Sequence, residues 1–151
     1  MELISNNPIE ASTLALNALS SRHNALAANI ANADTPGYKR VDVKFEDQLV
    51  KIIEKNTDIQ KEKEKNSAKV MNSANSVVLS NSLNYQEDLY KEFKPEISET
   101  GNAAIKTDGN NVNIEYEMAE LAKNGTKYAA ITTMQEKMFS GLRSVIEQGG
   151  R

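Results

Sequence analysis

The sequence Asn-Ile-Ala-Asn-Ala-Asp-Thr-Pro-Gly-Tyr-Lys-Arg, at residues 29–40, decides how this chain folds. Before it, apolar residues recur at the spacing of a helix, and after it they alternate for a few residues as in a strand. Thr35 precedes Pro36, whose ring disfavours the helical region for the residue ahead of it. Pro36 and Gly37 suit the two central positions of a type II turn, and Tyr38 follows directly. The stretch therefore predicts a helix end, a tight turn and a change of direction.

Residues 1–33 predict an N-terminal coiled-coil-type helix. Two heptad rows run along it, one holding Ile9, Leu16, His23 and Ile30 and the other holding Ser12, Leu19, Leu26 and Ala33. The positions expected to drive assembly are Leu16, Leu19, Leu26 and Ile30. Asn29 and Asn32 share one helix face, and we expect their amides to bond backbone carbonyls near the helix end or a neighbouring chain.

Residues 34–49 predict the turn and an extended arm. Val41, Val43 and Phe45 alternate with charged residues, which indicates a short half-exposed strand. Phe45 and Leu49 lie four residues apart, the spacing of an ordinary packing pair on a helix. A short helix is therefore expected to follow the arm.

Residues 50–103 predict a variable, partly ordered insert. Lys61–Lys65 alternates Lys and Glu and is polar all round, which fits either a solvated helix or a flexible loop. Val70–Leu83 is rich in Ser and Asn with weak β character. Tyr85–Phe93 has helix-like spacing, which Pro95 ends.

Residues 104–113 predict a β-turn or hairpin, because Asp108-Gly109 is a strong turn dipeptide. Asn111 or Asn113 is expected to cap the C-terminal coiled-coil-type helix over residues 114–151. Gly125 marks either a close helix approach or a weak point, since glycine costs about 1 kcal/mol relative to alanine in a helix. The apolar positions of this helix assigned to assembly are Met118, Leu121, Tyr128, Ile131, Met138, Leu142 and Val145.

Composition narrows the classes of protein. The chain has 151 residues, which suits one domain, and a net charge of −3 without a separate basic block, which argues against nucleic acid as a partner. It has no apolar run of about 18 residues, so an integral membrane protein is not expected. Cysteine is absent, which excludes disulfides and thiolate catalysis. Residues 1–5 lack a cationic region followed by an apolar core, so no cleaved signal peptide is expected.

Together these patterns predict a mainly α protein. Long N- and C-terminal amphipathic helices pack as a coiled-coil-like pair, with an extended, β-prone and partly disordered middle segment between them. Aromatic residues make up only 5% of the chain, so a compact core would be thin. A helix pair leaves apolar surface on both members, which predicts self-association, and an interface whose rotation does not close generates a filament. No cofactor or metal is expected.

The Thr-Pro-Gly-Tyr stretch resembles the N-terminal signature of the flagellar rod and hook axial proteins, in which an Ala/Asn-rich helix runs into this turn. Toward the other end, Asp108–Glu115, Glu117–Asn124 and Phe139–Ile146 are similar to the C-terminal region of the proximal-rod members of that family. Thr126–Ile131 lacks the Arg-x-Tyr-x-x-Asn pattern typical of the sibling rod protein FlgC. The resemblance covers both termini and says little about residues 50–100.

The resemblance implies a structural, non-enzymatic subunit of the proximal rod of the flagellar basal body, the periplasmic drive shaft that transmits torque from the membrane ring to the distal rod and hook. It implies export through the flagellar type III apparatus, with Phe45 and Leu49 as a candidate export-gate element. The implied partners are the other rod proteins (FlgC and the distal rod proteins), the rod-base adaptor FliE, the membrane/supramembrane ring protein, the export gate and further copies of this chain.

Two other functions fit parts of the sequence. Glu115, Glu117 and Glu120 at the start of the last helix could pair for catalysis. Asp34, Asp42 and Asp47 could bind a cation. The helix dipole already explains first-turn glutamates, however, and no nucleophile–base pair accompanies them. His23 is the single histidine and makes a poor metal site, so a packing or hydrogen-bonding role is expected.

A cytoplasmic helical adaptor or export chaperone would share the helices but would not need the Thr-Pro-Gly-Tyr turn.

Overall fold

The computed structural model of the protein describes residues 7–70, 93–99 and 107–149. It is mainly helical and its terminal helices pack together, which confirms the predicted fold class. Predictions for residues 1–6, 71–92, 100–106 and 150–151 lie outside the described residues. No helix in the described ranges is long and apolar enough to cross a membrane. The elements in chain order are α1 (Asn7–Ala31), β1 (Val41–Lys44), α2 (Glu46–Val70), β2 (Glu96–Glu99) and α3 (Ile114–Gly149).

The described residues belong to two compact units. Residues 7–14, 45–70 and 93–94 belong to the first, and residues 15–44, 95–99 and 107–149 belong to the second. The first unit contains α2, which is 25 residues long where a short helix was expected. The Lys61–Lys65 run lies inside α2 and is therefore helical. Lys, Glu and Gln are good helix formers, so this run sustains a helix without an apolar stripe.

One face of α2 is apolar near its start. Phe45, directly before the helix, and Ile52 are buried, while Leu49 between them is half-buried. Glu46 and Asp47 lie in the first turn, where the partial positive charge of the helix end favours carboxylates. The spacing of three and four residues is that of an amphipathic helix packed along one side.

In the second unit, β1 and β2 form a two-stranded antiparallel sheet with Val43 opposite Ile97. The extended arm predicted after the turn is thus a paired strand, and its partner comes from inside the predicted insert. A turn is present at 107–109, and residues 110–113 contain no strand. Residues 104–106 of the expected hairpin lie outside the described part of the chain.

Of the two heptad rows of α1 that were predicted to be buried, one is buried and the other is not. The row of Ser12, Leu19, Leu26 and Ala33 is buried as expected, each at most 5% exposed. In the other row Leu16 and Ile30 are only half-buried and His23 is exposed. The row that accompanies the buried one is Ala15, Arg22 and Asn29. The heptad prediction favoured bulky apolar side chains. The second row that packs inward on α1 instead contains one small residue and two polar residues, and both polar side chains form hydrogen bonds.

Two turns contact each other beside the end of α1. Tyr38 N donates to Thr35 O at 3.3 Å and Gly37 has φ +72°, which confirms the predicted type II turn. Gly109 has φ +84°, and Gly37 N donates to Asp108 O at 3.1 Å. A Cβ placed on Gly109 would lie 3.8 Å from the Gly37 Cα. The Thr-Pro-Gly-Tyr turn is therefore held by the Asp-Gly turn that precedes α3.

Replacing Gly37 and Gly125 separately by alanine tests what each glycine does. Neither added Cβ would meet another atom within 4 Å, so steric contact does not distinguish the two sites. The change in stability at each site therefore depends on the backbone conformation of the glycine. Gly37→Ala should lower the free energy of unfolding by about 1 kcal/mol, because its φ is left-handed. Gly125→Ala should raise it by about 0.8 kcal/mol, because it lies inside α3. Thermal unfolding of both variants is the measurement, and the same sign of change in both would contradict the argument.

Candidate functional site

Asn29 connects the end of α1 to β1. Its Nδ2 donates to Val41 O at 2.8 Å, and its Oδ1 accepts from Val41 N at 2.9 Å. The Tyr38 hydroxyl donates to the same Oδ1 at 3.2 Å. The Asn29 side chain is fully buried. One side-chain amide therefore satisfies both backbone groups of Val41, as a neighbouring strand would.

Arg22 repeats this arrangement one heptad earlier on α1. Its Nε donates to Val43 O at 3.0 Å, and its Nη2 also contacts that oxygen. The guanidinium also lies 3.8 Å from Asp42 Oδ1. Val43 itself is fully buried. Asn29 and Arg22 thus bond alternate residues along one edge of β1, and α1 fixes the strand's position along the helix.

Glu117 in the first turn of α3 is fully buried. Its Oε2 accepts from Asn29 Nδ2 at 2.9 Å, and its Oε1 accepts from Arg40 Nε at 2.5 Å. Arg40 also lies 3.6 Å from Asp42 Oδ2 and 5.3 Å from the centre of the Tyr116 ring. A buried charge needs an ion pair and hydrogen bonds to be tolerated, and Glu117 has both. The site joins α1, β1 and α3 at one point.

The pKa of Arg40 reflects this environment. Burial by itself lowers the pKa, but the hydrogen bond and charge of Glu117, with Asp42 and Tyr116, outweigh it, so the pKa is raised above its ordinary value. A folded-state pKa above the unfolded value contributes stability at every pH below the unfolded value. Arg40 therefore stays charged in the folded protein, and its contribution does not vary with pH except at the alkaline extreme.

Asn110, fully buried before α3, contacts the segment that follows α1. Its Nδ2 lies 2.9–3.0 Å from the carbonyl oxygens of Asn32, Ala33 and Thr35. Its Oδ1 accepts from Val112 N at 2.7 Å. All three carbonyls follow Ala31, the last residue of α1, so this one amide holds the turn segment that leads out of the helix. The adjacent Asn111, Lys39 and Arg40 add two bonds between the same segments, Arg40 N to Asn111 Oδ1 at 2.6 Å and Lys39 Nζ to Gly109 O at 2.8 Å.

Asn124 makes a second polar link between α1 and α3. Its Nδ2 donates to Leu19 O at 3.0 Å, and the residue is 3% exposed. A groove of about 330 Å³ lies beside it, lined by Ser20, His23, Gly125, Tyr128 and Ala129 as well as Asn124. His23, predicted to pack in the stripe, instead lies exposed at this groove. Across the described ranges, no group of three or more His, Asp or Glu residues could hold a metal ion.

Comparison with known proteins gives a consistent result. A family model for flagella basal body rod proteins matches residues 9–39. The chain is 33% identical to the flagellar basal body rod protein FlgB of Borrelia hermsii over 132 residues, covering 87% of this chain and 90% of that protein. It is 35% identical to FlgB of Buchnera aphidicola, covering 76% and 74%, and 29% identical to FlgB of Escherichia coli K12, covering 89% of both.

The chain belongs to the FlgB family of flagellar basal body rod proteins. Membership supports a structural role in the flagellar rod, association with other rod or basal-body proteins, and a non-enzymatic function. The segment matched by the family model contains both α1 and the Thr-Pro-Gly-Tyr turn. The polar contacts of Asn29 and Tyr38 therefore lie in the part of the chain that identifies the family.

The residues of the turn motif are brought together in this FlgB-family chain. Asn29 bonds Val41 and Glu117, and not the carbonyls at the end of its own helix. Asn32 does bond such a carbonyl, donating to Ala28 O at 2.8 Å, as predicted. Thr35, Pro36 and Gly37 are exposed, while Tyr38 is half-buried. One face of the motif, with Asn29, therefore forms hydrogen bonds within the chain, and the other face, with Thr35, Pro36 and Gly37, is exposed.

The residues assigned to helix assembly fall into three exposure classes. Leu19 and Leu26 are buried within the chain. Those that are half-buried are Leu16, Ile30, Leu121, Ile131, Met138 and Leu142. Met118, Tyr128 and Val145 are exposed by 58%, 44% and 56%. The buried pair therefore lies in the interior of this FlgB-family chain, whereas the exposed residues lie on its surface.

Sequence reasoning missed the polar residues that join the segments, chiefly Glu117, Arg40, Asn110 and Asn124. Glu117 was explained by the helix dipole alone, although it lies in the same heptad row as Asn124. Of the two capping candidates, Asn113 is the cap, since its Oδ1 accepts from Glu115 N at 3.0 Å. Asn111 instead accepts from Arg40 N. Polar residues that recur every seven positions were the signal that could have found Glu117 and Asn124.

Glu117→Gln should destabilise the protein by about 3 kcal/mol, because it leaves the Arg40 charge without its buried partner. Glu120→Gln is the matched control. Glu120 makes an i,i+3 pair with Lys123 at 3.1 Å on the surface, and such pairs contribute under about 1 kcal/mol. Chemical denaturation of both variants measures the difference. Equal midpoints for the two would show that the buried carboxylate does not hold the site.

Proposed function

We propose that this chain is a structural subunit of the proximal rod of the bacterial flagellar basal body. In this proposal α1 and α3 join neighbouring subunits into the periplasmic drive shaft that transmits torque from the membrane ring to the distal rod and hook. Membership of the FlgB family supports the rod as its location. The proposal extends this to the mode of assembly and to the mechanical role.

One observation about α3 carries the proposal. Beyond Asn124 the helix continues for 25 residues, roughly 37 Å at about 1.5 Å per residue. Large apolar side chains on this part are exposed by 44–71%, namely Tyr128, Met134, Phe139, Val145 and Ile146. Contiguous exposed apolar surface is typical of interaction sites. A tube of repeated subunits would bury such a surface in many parallel helix contacts, each of which resists torque.

The proposed partners follow from this location. They are further copies of the chain, FlgC and the distal rod proteins, the adaptor FliE and the membrane/supramembrane ring protein. Before assembly, the chain would pass the flagellar type III export gate. The alternative to a rod subunit is a cytoplasmic helical adaptor or export chaperone, which would be absent from basal bodies.

The test uses Ile146, which is 71% exposed and so tolerates a charge without loss of the fold. Ile146→Asp should remove the chain from detergent-extracted basal bodies, because it places a charge in the proposed subunit contact. Ser144→Asp, on the opposite face of α3 by helix geometry, is the matched control and should be retained. Crosslinks from α1 and α3 of the retained chain should reach rod or ring proteins.

Two results would overturn this proposal. If Ile146→Asp is retained at the level of the unmodified chain, the exposed face of α3 is not an assembly contact. If the unmodified chain is absent from basal bodies and stays in the cytosol, the adaptor or chaperone function replaces the rod. Leu19 and Leu26 are unsuitable test positions, since charges there would unfold the subunit itself.

A second prediction concerns export and the Phe45/Leu49 element. Phe45 is 5% exposed in the folded chain, and Leu49 N donates to Phe45 O at 2.9 Å. An export gate could therefore read this element only in the unfolded chain. Phe45→Ala should lower secretion roughly tenfold, as expected for the loss of an aromatic anchor.

Val43→Ala is the matched control for the export prediction. Val43 is also buried, so its truncation destabilises the folded protein without changing the Phe45/Leu49 element. Secretion of Val43→Ala should match that of the unmodified chain. Equal loss of secretion in both variants would mean that stability, and not the Phe-x-x-x-Leu element, controls export.

A further inference from the structure

Asn124-Gly125 is the single Asn-Gly pair in the sequence. Asparagine followed by glycine is chemically vulnerable, because glycine has no Cβ to hinder attack by its own backbone nitrogen. The Gly125 nitrogen attacks the Asn124 side-chain carbonyl carbon, and a carbon–nitrogen bond forms. The bond from that carbon to the side-chain nitrogen breaks, and ammonia leaves with the proton from Gly125. Water then opens the cyclic imide to aspartate or isoaspartate.

Three features of the folded chain oppose this reaction. Asn124 and Gly125 lie within α3, so the Gly125 N–H is engaged with the carbonyl of Leu121 in the helix. Asn124 is 3% exposed, so water has little access to its side chain. Its Nδ2, the leaving group, donates to Leu19 O at 3.0 Å. None of these protections exists in an unfolded chain.

We propose that Asn124 is a deamidation site that the folded α1–α3 contact protects and the unfolded chain exposes, and that its conversion disables this contact. Aspartate at position 124 has no N–H to donate to Leu19 O. Its carboxylate would lie buried against a carbonyl oxygen, where two acceptors face each other. Isoaspartate adds a carbon to the backbone and interrupts the hydrogen-bond ladder of α3. Either product therefore opposes refolding.

The extent of deamidation at Asn124 therefore increases with the time that a chain spends unfolded. A newly made chain forms the contact with an intact amide, whereas a chain held unfolded for long is altered irreversibly. The inference depends on the contact within one chain and stands whether or not the chain assembles into a rod. For a subunit exported unfolded, it would exclude aged chains from assembly.

The first experiment follows deamidation of the full chain by mass spectrometry, at mildly alkaline pH, with and without concentrated guanidinium chloride. Conversion at Asn124 should be roughly tenfold or more slower in the folded chain, because reaction requires local opening. Gly125→Ala, whose added Cβ has room, should suppress conversion at Asn124 in denaturant. Equal rates with and without denaturant would overturn the protection. Conversion in denaturant no faster than at Asn24, which precedes alanine, would overturn the site.

The second experiment tests the consequence of conversion. Asn124→Asp should lower Tm by roughly 5 °C or more, or prevent folding. Asn113→Asp introduces the same charge at the cap of α3, where aspartate also accepts from the first backbone N–H groups, and should leave Tm nearly unchanged. Equal Tm values for the two variants would overturn the claim that conversion disables the contact.

Discussion

The burial of the Glu117 carboxylate is the constraint on which the second compact unit depends. A buried charge of this kind costs several kcal/mol unless partners surround it. Arg40 and Asn29 are those partners, and they reach Glu117 only when the chain has turned between α1 and β1. The need to satisfy one carboxylate in α3 thus fixes the path of the N-terminal segment. The apolar contacts of Leu19 and Leu26 add stability but do not specify this path.

Polar residues also fix the register of α1 against α3. Glu117 and Asn124 lie seven residues apart on α3, and each has a separate partner on α1. A shift of one heptad would move Glu117 away from Asn29 and would break the bond between them. Buried polar residues set register in this way in coiled coils, at a cost in stability. The alanines of α1 permit the close approach that these short hydrogen bonds need.

Much of this fold follows from periodicity and turn chemistry. The helix–turn–strand sequence around Pro36 and Gly37 was predictable because proline and glycine restrict the backbone locally. The partner of β1 was not, since four residues around Ile97 carry no signal of their own and pairing depends on distant segments. One of the two heptad rows of α1 was predicted correctly, but the row of Leu16, His23 and Ile30 was not, because hydrophobic spacing cannot recognise that Asn29 and Arg22 bond a strand. Long-range polar complementarity decides such details, and it appears in the sequence only as scattered asparagines and charges.

The amide of Asn29 and the guanidinium of Arg22 have one more consequence. Asn29 bonds both backbone groups of Val41 and Arg22 bonds the carbonyl of Val43, on the side of β1 away from β2. An unoccupied strand edge recruits strands from other molecules and is a common origin of aggregation. Here side chains of a helix close that edge without a third strand. At high local concentration, copies of this chain therefore cannot add a strand at this edge of β1. This removes one site at which cross-β aggregation could begin.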